Sequence, residues 1–311
     1  MRKLNQSEKK VLSLLEQNCR LPANQIAKKT RLSPEGVLKI IRRLEEAKII
    51  IKFNTKINYA RMGYKIYPVH IKLLKLDKEI IRTIKQVIKQ HKTCAWHIFC
   101  EGEYDLLLSF KILSEKEKLD MNQLLVDISD FILDKDISIV LHAFEISKSL
   151  SDHEQPKLFS TYNHDLEKLN LSPKEIEIID ILKSNARENI LNIAKLTNLS
   201  AKVVSSKLKK LEKDNVISGF KTKINTATLD YQPCIALISL KKYNNQEIKK
   251  FIAYCQYKGG INYLVRQIGK YDLELTIDVQ NINEFYELMD DIRNQFPFIK
   301  KITTLISKEV S

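Results

Sequence analysis

The strongest constraint on this fold is an internal repeat. The stretch 32–58, LSPEGVLKIIRRLEEAKIIIKFNTKIN, occurs again at 199–225 as LSAKVVSSKLKKLEKDNVISGFKTKIN, at a constant offset of 167 residues. Equivalent positions carry the same or similar residues, for example Phe53 and Phe220. The 311-residue chain is long enough for two to four domains, so we expect one structural unit to be present twice.

Each copy has the pattern of a winged helix-turn-helix. Ser33 and Ser200 stand where a helix start is expected, and apolar residues then recur at the helical period. A shorter helix is predicted just upstream, at 23–29 and 190–196, and a turn of only three or four residues joins it to the second helix. Two helices joined in this way indicate that the second helix enters the major groove of DNA. The β-branched and aromatic residues that follow each second helix indicate a small β wing.

The rest of each copy predicts strands and helices in the order βαββαβ, which is the ferredoxin-like order. The first copy closes with a helix expected over 115–131 and the strand ISIVLHAFEI. We therefore predict an α+β chain with two winged helix-turn-helix domains and two ferredoxin-like βαββαβ domains in tandem. The predicted parts are a winged helix at 1–63, a ferredoxin-like domain at 64–148, a polar linker at 149–168, a winged helix at 169–230 and a ferredoxin-like domain at 231–311.

The net charge of +14 is concentrated on the two winged-helix modules. Residues 1–60 hold 14 Lys or Arg against 5 Asp or Glu, and residues 171–230 hold 11 against 7. Phosphate contacts require such an excess, so double-stranded DNA is the expected partner. The chain has no run of about 18 apolar residues, and its N-terminus leads directly into an amphipathic helix. We expect a cytoplasmic protein without a membrane segment.

The five cysteines predict neither disulfides nor a metal site. They are odd in number and show no C-x-x-C spacing, which favours free thiols in a reducing compartment. No nucleophile triad is evident, and the carboxylates of Glu101, Glu103 and Asp105 are typical of a solvated turn. The sequence therefore predicts a protein that is not an enzyme and that has no cofactor.

Both copies retain a short turn motif, GEYD at 102–105 and GKYD at 269–272. Glycine suits a tight turn between antiparallel strands because it tolerates positive φ. The turn does not explain why tyrosine and aspartate are also retained in two copies that have otherwise diverged.

A winged helix followed by a βαββαβ domain with G-x-Y-D resembles the Lrp/AsnC transcription regulators, and the resemblance covers both copies. In that family the second domain mediates assembly, and small effectors, often amino acids, bind near the G-x-Y-D loop. The resemblance implies effector-binding or assembly roles for Gly102, Tyr104, Asp105, Gly269, Tyr271 and Asp272. Family members usually carry one copy and form dimers, so this chain is expected to act as a pseudo-dimer, alone or as a homodimer of chains.

The residues expected to contact DNA lie on the two recognition helices. Base reading is expected of Glu35, Lys39, Lys202, Ser205 and Ser206, and phosphate contact of Arg42, Arg43, Lys209 and Lys210. Ser33, Ser200 and Lys207 complete the predicted set. Ile40 stands where the family commonly has arginine, and Lys207 is its counterpart, so the halves are expected to read different sequences or to bind DNA with unequal strength. Lys48 and Asn215 replace a glycine that is usual before the wing.

Two alternatives share this domain build. A siroheme-decarboxylase-like enzyme would use histidines or arginines to hold the carboxylates of a tetrapyrrole, and His70, His97 and His142 lie in predicted strands of the first copy. A module that assembles subunits without binding DNA is the other alternative.

Overall fold

A computed structural model describes residues 4–147 and 155–308. The helices and strands of the first half are α1 (Gln6–Gln17), α2 (Ala23–Thr30), α3 (Pro34–Glu46), β1 (Ile50–Ile57), β2 (Lys65–Leu73), α4 (Lys78–Gln90), β3 (Cys94–Glu101), β4 (Leu106–Ile112), α5 (Glu115–Asp127), β5 (Ile132–Ile137) and β6 (Ile139–Ile146). Strand β7 (Leu158–Asn163) follows. Those of the second half are α6 (Pro173–Ser184), α7 (Ile190–Thr197), α8 (Ala201–Lys213), β8 (Ile217–Ile224), β9 (Gln232–Leu240), α9 (Asn245–Tyr257), β10 (Ile261–Ile268), β11 (Leu273–Val279), α10 (Ile282–Gln295) and β12 (Ile299–Ser307).

The recognition helices begin where the sequence places them. Ser33 Oγ accepts a hydrogen bond from Gly36 N at 3.0 Å, and Ser200 Oγ accepts one from Val203 N at 3.3 Å. These bonds satisfy first-turn amides that have no partner within the helix. The apolar stripes of both helices are buried, namely Val37, Ile41 and Leu44 of α3 and Val204, Leu208 and Leu211 of α8. The predicted α+β class and the tandem arrangement are confirmed.

The sequence favours a wing within each copy, but the structure builds one wing from both. Strands β1 and β8 pair with each other, antiparallel, in a separate two-stranded sheet. Each half contributes one strand, so the backbone hydrogen bonds of one wing strand are satisfied by the other half. Periodicity within a strand cannot reveal which strand it pairs with, which is why the sequence alone does not distinguish these arrangements.

Two segments between these elements differ from the sequence expectation. The helix expected over 115–131 ends at Asp127, and after Ile128 a short 3-10 helix, Ser129–Phe131, leads into the extra strand β5. The expected linker 149–168 contains β7, which pairs with β6 and buries Phe159 and Tyr162. Its residues 149–154 lie outside the described part of the chain. Two buried aromatics three residues apart do not follow the period of two, so the sequence pattern does not indicate this strand.

The other strands within residues 4–147 and 155–308 form one ten-stranded sheet in the order β5-β2-β4-β3-β12-β9-β11-β10-β6-β7. Strands β5 and β6 are separated only by Ser138, and β5 pairs with β2 while β6 pairs with β10 of the second half. On the opposite side, β12 pairs with β9 and, through Ile306 and Ser307, with β3. The sheet therefore closes around an interior to which both halves contribute.

The two halves are related by reciprocal contacts within the one chain. Thr55 Oγ1 donates to Leu182 O at 2.6 Å, and its counterpart Thr222 donates to Leu15 O at 3.0 Å. Two further pairs of equivalent backbone bonds join the modules, Cys19 N to Phe220 O with Ala186 N to Phe53 O, and Asn58 N to Val216 O with Asn225 N to Ile49 O. Every partner is shifted by 167 residues, so the chain folds as a pseudo-two-fold dimer of its own halves.

Candidate nucleic-acid interface and the G-x-Y-D loops

The solvent-facing sides of α3 and α8 carry basic residues. Lys39 and Arg42 of α3 and Lys202 and Lys209 of α8 are exposed, and none of the four forms an ion pair within residues 4–147 and 155–308. The other exposed members of the predicted set are Ser33, Glu35, Arg43, Ser200, Ser206 and Lys210, while Ser205 and Lys207 are half-buried. Unpaired cations on an outward helix face are the groups that a phosphate backbone attracts.

Three of the predicted DNA contacts are engaged with buried carboxylates of their own module. Arg43 lies 3.9 Å from Glu8, and its counterpart Lys210 lies 3.2 Å from Glu175, the counterpart of Glu8. Lys207 also approaches Glu175, with 3.6 Å between Nζ and Oε1. These cations link the recognition helix to the first helix of each module, so their positive charge is partly compensated.

Glu175 is an internal anchor of the second module. It is buried at the start of α6, where it accepts hydrogen bonds from the backbone N and the hydroxyl of Ser172. Burial raises the pKa of Glu175, but the bonds from Ser172, together with Lys210 and Lys207, outweigh it and lower the pKa to about 2. The sequence shows this residue only as part of a capping box.

The two recognition faces differ in chemistry. Leu38 of α3 is 41% exposed, and its counterpart on α8 is Ser205. Val203 of α8 is 40% exposed, where α3 has Gly36. Because apolar and hydroxyl groups contact different features of base edges, the two faces present different surfaces to DNA.

A reciprocal pair of arginines fixes the modules against each other. The guanidinium of Arg20 lies 5.2 Å from the ring centre of Phe220, and its counterpart Arg187 lies 5.1 Å from that of Phe53. Arg20 also donates to Ala186 O at 2.6 Å. Sequence reasoning missed these arginines, although an arginine and a phenylalanine retained at one offset in both copies were an available signal.

The glycines of the G-x-Y-D loops lie against the other half of the chain. Gly102 has φ of +144°, and a Cβ there would lie 2.7 Å from Leu305 Cδ2 and 2.8 Å from Thr304 O. A Cβ on Gly269 would lie 2.1 Å from Oγ of Ser138, which is the counterpart of Leu305. Both glycines therefore permit a close approach between halves, which a turn within one half does not require.

The two tyrosines of these loops meet at the centre of the interface. Tyr104 and Tyr271 are each 1% exposed, and their ring centres lie 6.2 Å apart in an edge-on arrangement. Tyr271 OH donates to Glu103 at 2.7 Å. Tyr104 OH donates to the carboxylate of Asp136 and accepts a bond from Lys270 at 2.8 Å.

The position before each tyrosine has diverged to opposite charges. Glu103 and Lys270 occupy equivalent positions and form an ion pair at 3.2 Å. Burial raises the pKa of Glu103, but hydrogen bonds from Tyr271, Lys301 and Lys270 outweigh it and lower the pKa to about 2. Two identical halves would place like charges here, so this interface suits two different halves.

The aspartates of the loops have a local role. Asp105 Oδ2 accepts from Leu73 N at 2.9 Å, and its counterpart Asp272 accepts from Leu240 N at 2.7 Å. Each aspartate thus fastens its loop to the end of a neighbouring strand. Asp105 also lies 3.1 Å from Lys72 Nζ.

A buried charge cluster joins the wing to the large sheet. Lys221 of β8 is 5% exposed and lies 3.3 Å from Glu16 of α1 and 3.0 Å from Glu145 of β6. Lys56 of β1 lies 2.5 Å from the other oxygen of Glu145. The cluster contacts a DNA-binding module, the shared wing and the large sheet, and the sequence gives no indication of it.

The three strand histidines do not form one site. His70 pairs with Leu107 and His97 with Leu108, so their side chains lie on opposite faces of the sheet. His142 Nε2 lies 3.0 Å from Asp165 Oδ2. In the part of the chain that the structure describes, no group of three or more His, Cys, Asp or Glu side chains is arranged to hold a metal ion. No helix among those residues is both long and apolar enough to span a membrane.

Comparisons with known proteins give a consistent family. A winged helix-turn-helix DNA-binding family model matches residues 4–51 and again 169–218. An HTH-type transcriptional regulator of Pyrococcus furiosus is 33% identical over 118 residues, which are 37% of this chain and 75% of that protein. The HTH-type transcriptional regulator LysM of Sulfurisphaera tokodaii is 29% identical over 143 residues, 44% of this chain and 95% of that protein.

The fold resembles that of a solved structure over nearly the whole chain. The siroheme decarboxylase NirDL has a TM-score of 0.64 at 14% sequence identity, over 97% of this chain and 91% of that one. At this identity the likeness concerns the fold alone. The sequence relatives, the two family-model matches and the paired G-x-Y-D loops show that this chain belongs to the Lrp/AsnC family of DNA-binding transcription regulators, as a tandem duplication of the family's unit.

Proposed function

We propose that one chain acts as a complete pseudo-dimeric regulator that reads an asymmetric DNA site with two unequal recognition helices. The observation that carries this proposal is the set of reciprocal contacts, such as Thr55 to Leu182 and Thr222 to Leu15, which fix the two modules in one chain. Two-fold regulators place their recognition helices about one turn of DNA apart, roughly 34 Å. One chain supplies both helices.

The residues on the outward face of each recognition helix suit contacts with different bases. Glu35 is suited to accept from a cytosine amine, whereas its counterpart Lys202 is suited to donate to guanine. Lys39 is suited to guanine as well, and its counterpart Ser206 to either base type, like Ser205. The two half-sites should therefore differ in sequence.

Phosphate contact is assigned first to the cations without an internal ion pair. Arg42 and Lys209 occupy equivalent positions and are exposed. Arg43, Lys207 and Lys210 would exchange a carboxylate partner for a phosphate, so each should contribute less to DNA affinity than Arg42 or Lys209 does. Ser33 and Ser200 cap the helices and leave the first-turn backbone directed at the DNA.

The test is DNA selection from a random library, followed by affinity measurements at several salt concentrations. Changing Arg42 and Lys209 together to alanine should reduce the slope of log K against log salt by about 1.8, since each phosphate contact contributes about 0.9. Changing Lys249 and Lys250, exposed on α9, to alanine is the matched control and should leave the slope unchanged. Equal slopes for all variants, or no enriched site, would favour the assembly module without DNA.

We further propose that the G-x-Y-D loops serve assembly of the halves. Gly102, Tyr104, Gly269 and Tyr271 all contact the opposite half, which supports this role. A Glu103→Lys variant should lower the thermal midpoint, because the new lysine would face Lys270. Adding Lys270→Glu should restore much of the loss; an additive loss in the double variant would contradict the role of this pair.

We also propose that a small effector such as an amino acid controls the chain, as the family resemblance implies. Because the loop residues lie between the halves, an effector that bound there would change how the modules are held. The experiment is a DNA-affinity measurement on the full chain with each amino acid in turn. A response that persists in a loop variant such as Asp105→Asn would place the effector elsewhere.

Siroheme decarboxylation is the second candidate function, favoured by the whole-chain likeness to NirDL. The separation of His70 and His97 onto opposite faces counts against it, as does the pairing of His142 with Asp165. We propose that the chain is not an enzyme. Incubation with siroheme followed by absorbance spectroscopy tests this, and a stoichiometric Soret band with loss of carboxyl groups would overturn it.

A further inference from the structure

The interior enclosed by the large sheet contains a set of polar side chains on one side. His70 of β2 lies between Val69 and Ile71, which pack toward the helices, so its ring points to the interior. Glu274 lies in the same way between two helix-facing leucines of β11. His70 Nε2 and Glu274 Oε2 are 3.2 Å apart across the interior.

Two further polar residues share this face. Asp136 is the strand partner of His70, and Ser138 lies two residues after Asp136 in the chain. Gln267 of β10 lies two residues from Val265, the strand partner of Glu274. Since alternate residues of a strand share a face, Ser138 and Gln267 belong to the same interior surface. We call His70, Ser138, Gln267 and Glu274 the interior polar site.

The interior polar site contains hydrogen-bonding atoms without partners. His70, Ser138 and Gln267 are 1%, 3% and 2% exposed. Nδ1 of His70, Oγ of Ser138 and both amide atoms of Gln267 have no hydrogen-bond partner among the described residues. Buried polar groups are nearly always paired, because leaving them unpaired is costly, so four such atoms on one interior surface require an explanation.

The other half of the chain shows that the fold does not need these polar groups. The residues equivalent to His70, Ser138, Gln267 and Glu274 are Leu237, Leu305, Cys100 and Leu107. These four belong to one buried cluster that also contains Tyr104 and Tyr271. The same backbone arrangement is thus packed with apolar side chains on one side of the pseudo-two-fold and with polar ones on the other.

We propose that the interior polar site binds one small carboxamide per chain. Nε2 and Oε1 of Gln267 are both unpaired, and a second amide can pair with them through two parallel hydrogen bonds, one donated and one accepted. His70 Nδ1 and Ser138 Oγ are available to the remainder of the ligand. Glu274 already accepts from His70, and Asp136 is paired with Lys270 at 3.2 Å, which favours an uncharged ligand.

Acetamide is the probe for this site, and it is measured against the full chain by saturation-transfer NMR and by thermal shift. Binding should be saturable. Dimethylacetamide, which has no N–H donor, and acetate, which is charged, should bind at least tenfold more weakly. The Gln267→Cys variant places the residue of the equivalent position at this site, so it should fold, and its acetamide affinity should fall at least tenfold. A Gln256→Ala variant on α9 should bind like the unchanged protein.

Three outcomes would overturn the inference. They are equal binding by the Gln267→Cys variant, equal binding of dimethylacetamide, and a crystal of acetamide-soaked protein in which the site holds ordered water only. Because the measurement involves no DNA, a negative result leaves the proposed regulatory function intact.

Discussion

Replacing Lys221 with methionine tests whether the buried charge cluster holds the DNA-binding modules to the large sheet. Methionine has a similar length but removes the cation that lies 3.3 Å from Glu16 and 3.0 Å from Glu145. Removing one partner of a buried ion pair costs about 3–5 kcal/mol. Lys56 still compensates Glu145, so we expect about 3 kcal/mol, the lower end of this range.

The assay is urea and thermal unfolding at pH 7, with Lys223→Met as the matched control. Lys223 lies on the same strand, two residues away, and is exposed, so its replacement should change stability by no more than about 0.5 kcal/mol. A loss of about 3 kcal/mol should lower the thermal midpoint by about 5 °C, because the unfolding entropy is about 2.1 cal/mol/K for each residue of the chain. A Lys221→Met variant as stable as the control would refute the argument.

The stability lost in the Lys221→Met variant should depend on pH. Burial raises the pKa of Glu145, but attraction to Lys221 and Lys56 outweighs it and lowers the pKa to about 2. Because the folded pKa lies below the unfolded value of about 4.3, this stabilisation is present above that pH and is lost as pH falls toward 2. Removing Lys221 reduces the shift, so the stability gap between variant and unchanged protein should narrow on acidification from pH 5 to pH 3. A gap that widens would contradict the assignment.

Two backbone predictions follow, each with a control in the chain itself. Gly102→Ala should lower the free energy of unfolding by about 2 kcal/mol, because the added Cβ meets backbone at positive φ. Gly259→Ala is the control and should change the urea midpoint little, because nothing lies within 4 Å of its added Cβ. Equal shifts of the urea midpoint in the two variants would contradict the close approach at Gly102. Lys48 and Asn215 both adopt φ of +54°, so Lys48→Gly should stabilise by up to about 1 kcal/mol and Asn215→Gly by less, since asparagine tolerates this conformation better. A larger gain from the asparagine site would count against this reasoning.

Much of each recognition helix could be predicted, whereas little of the interface could. Ser33 and Ser200 mark helix starts through bonds to residues three positions away, so a local pattern is sufficient. The engagement of Lys210 with Glu175 crosses 35 positions and depends on how two helices pack. Sequence reasoning therefore placed Lys210 on the correct helix but did not identify its buried partner.

By itself, the sequence determined that one unit is present twice, that each unit pairs a helix-turn-helix with a βαββαβ domain, and that basic charge collects on the helix-turn-helix modules. These features follow from short-range periodicity and composition. Only the tertiary structure decided that the halves pair within the chain, that β1 and β8 form one shared wing, and that one side of the enclosed interior is polar. Strand partners and facing side chains are set by contacts across 100 residues or more, and a strand's own pattern is the same whichever partner it finds.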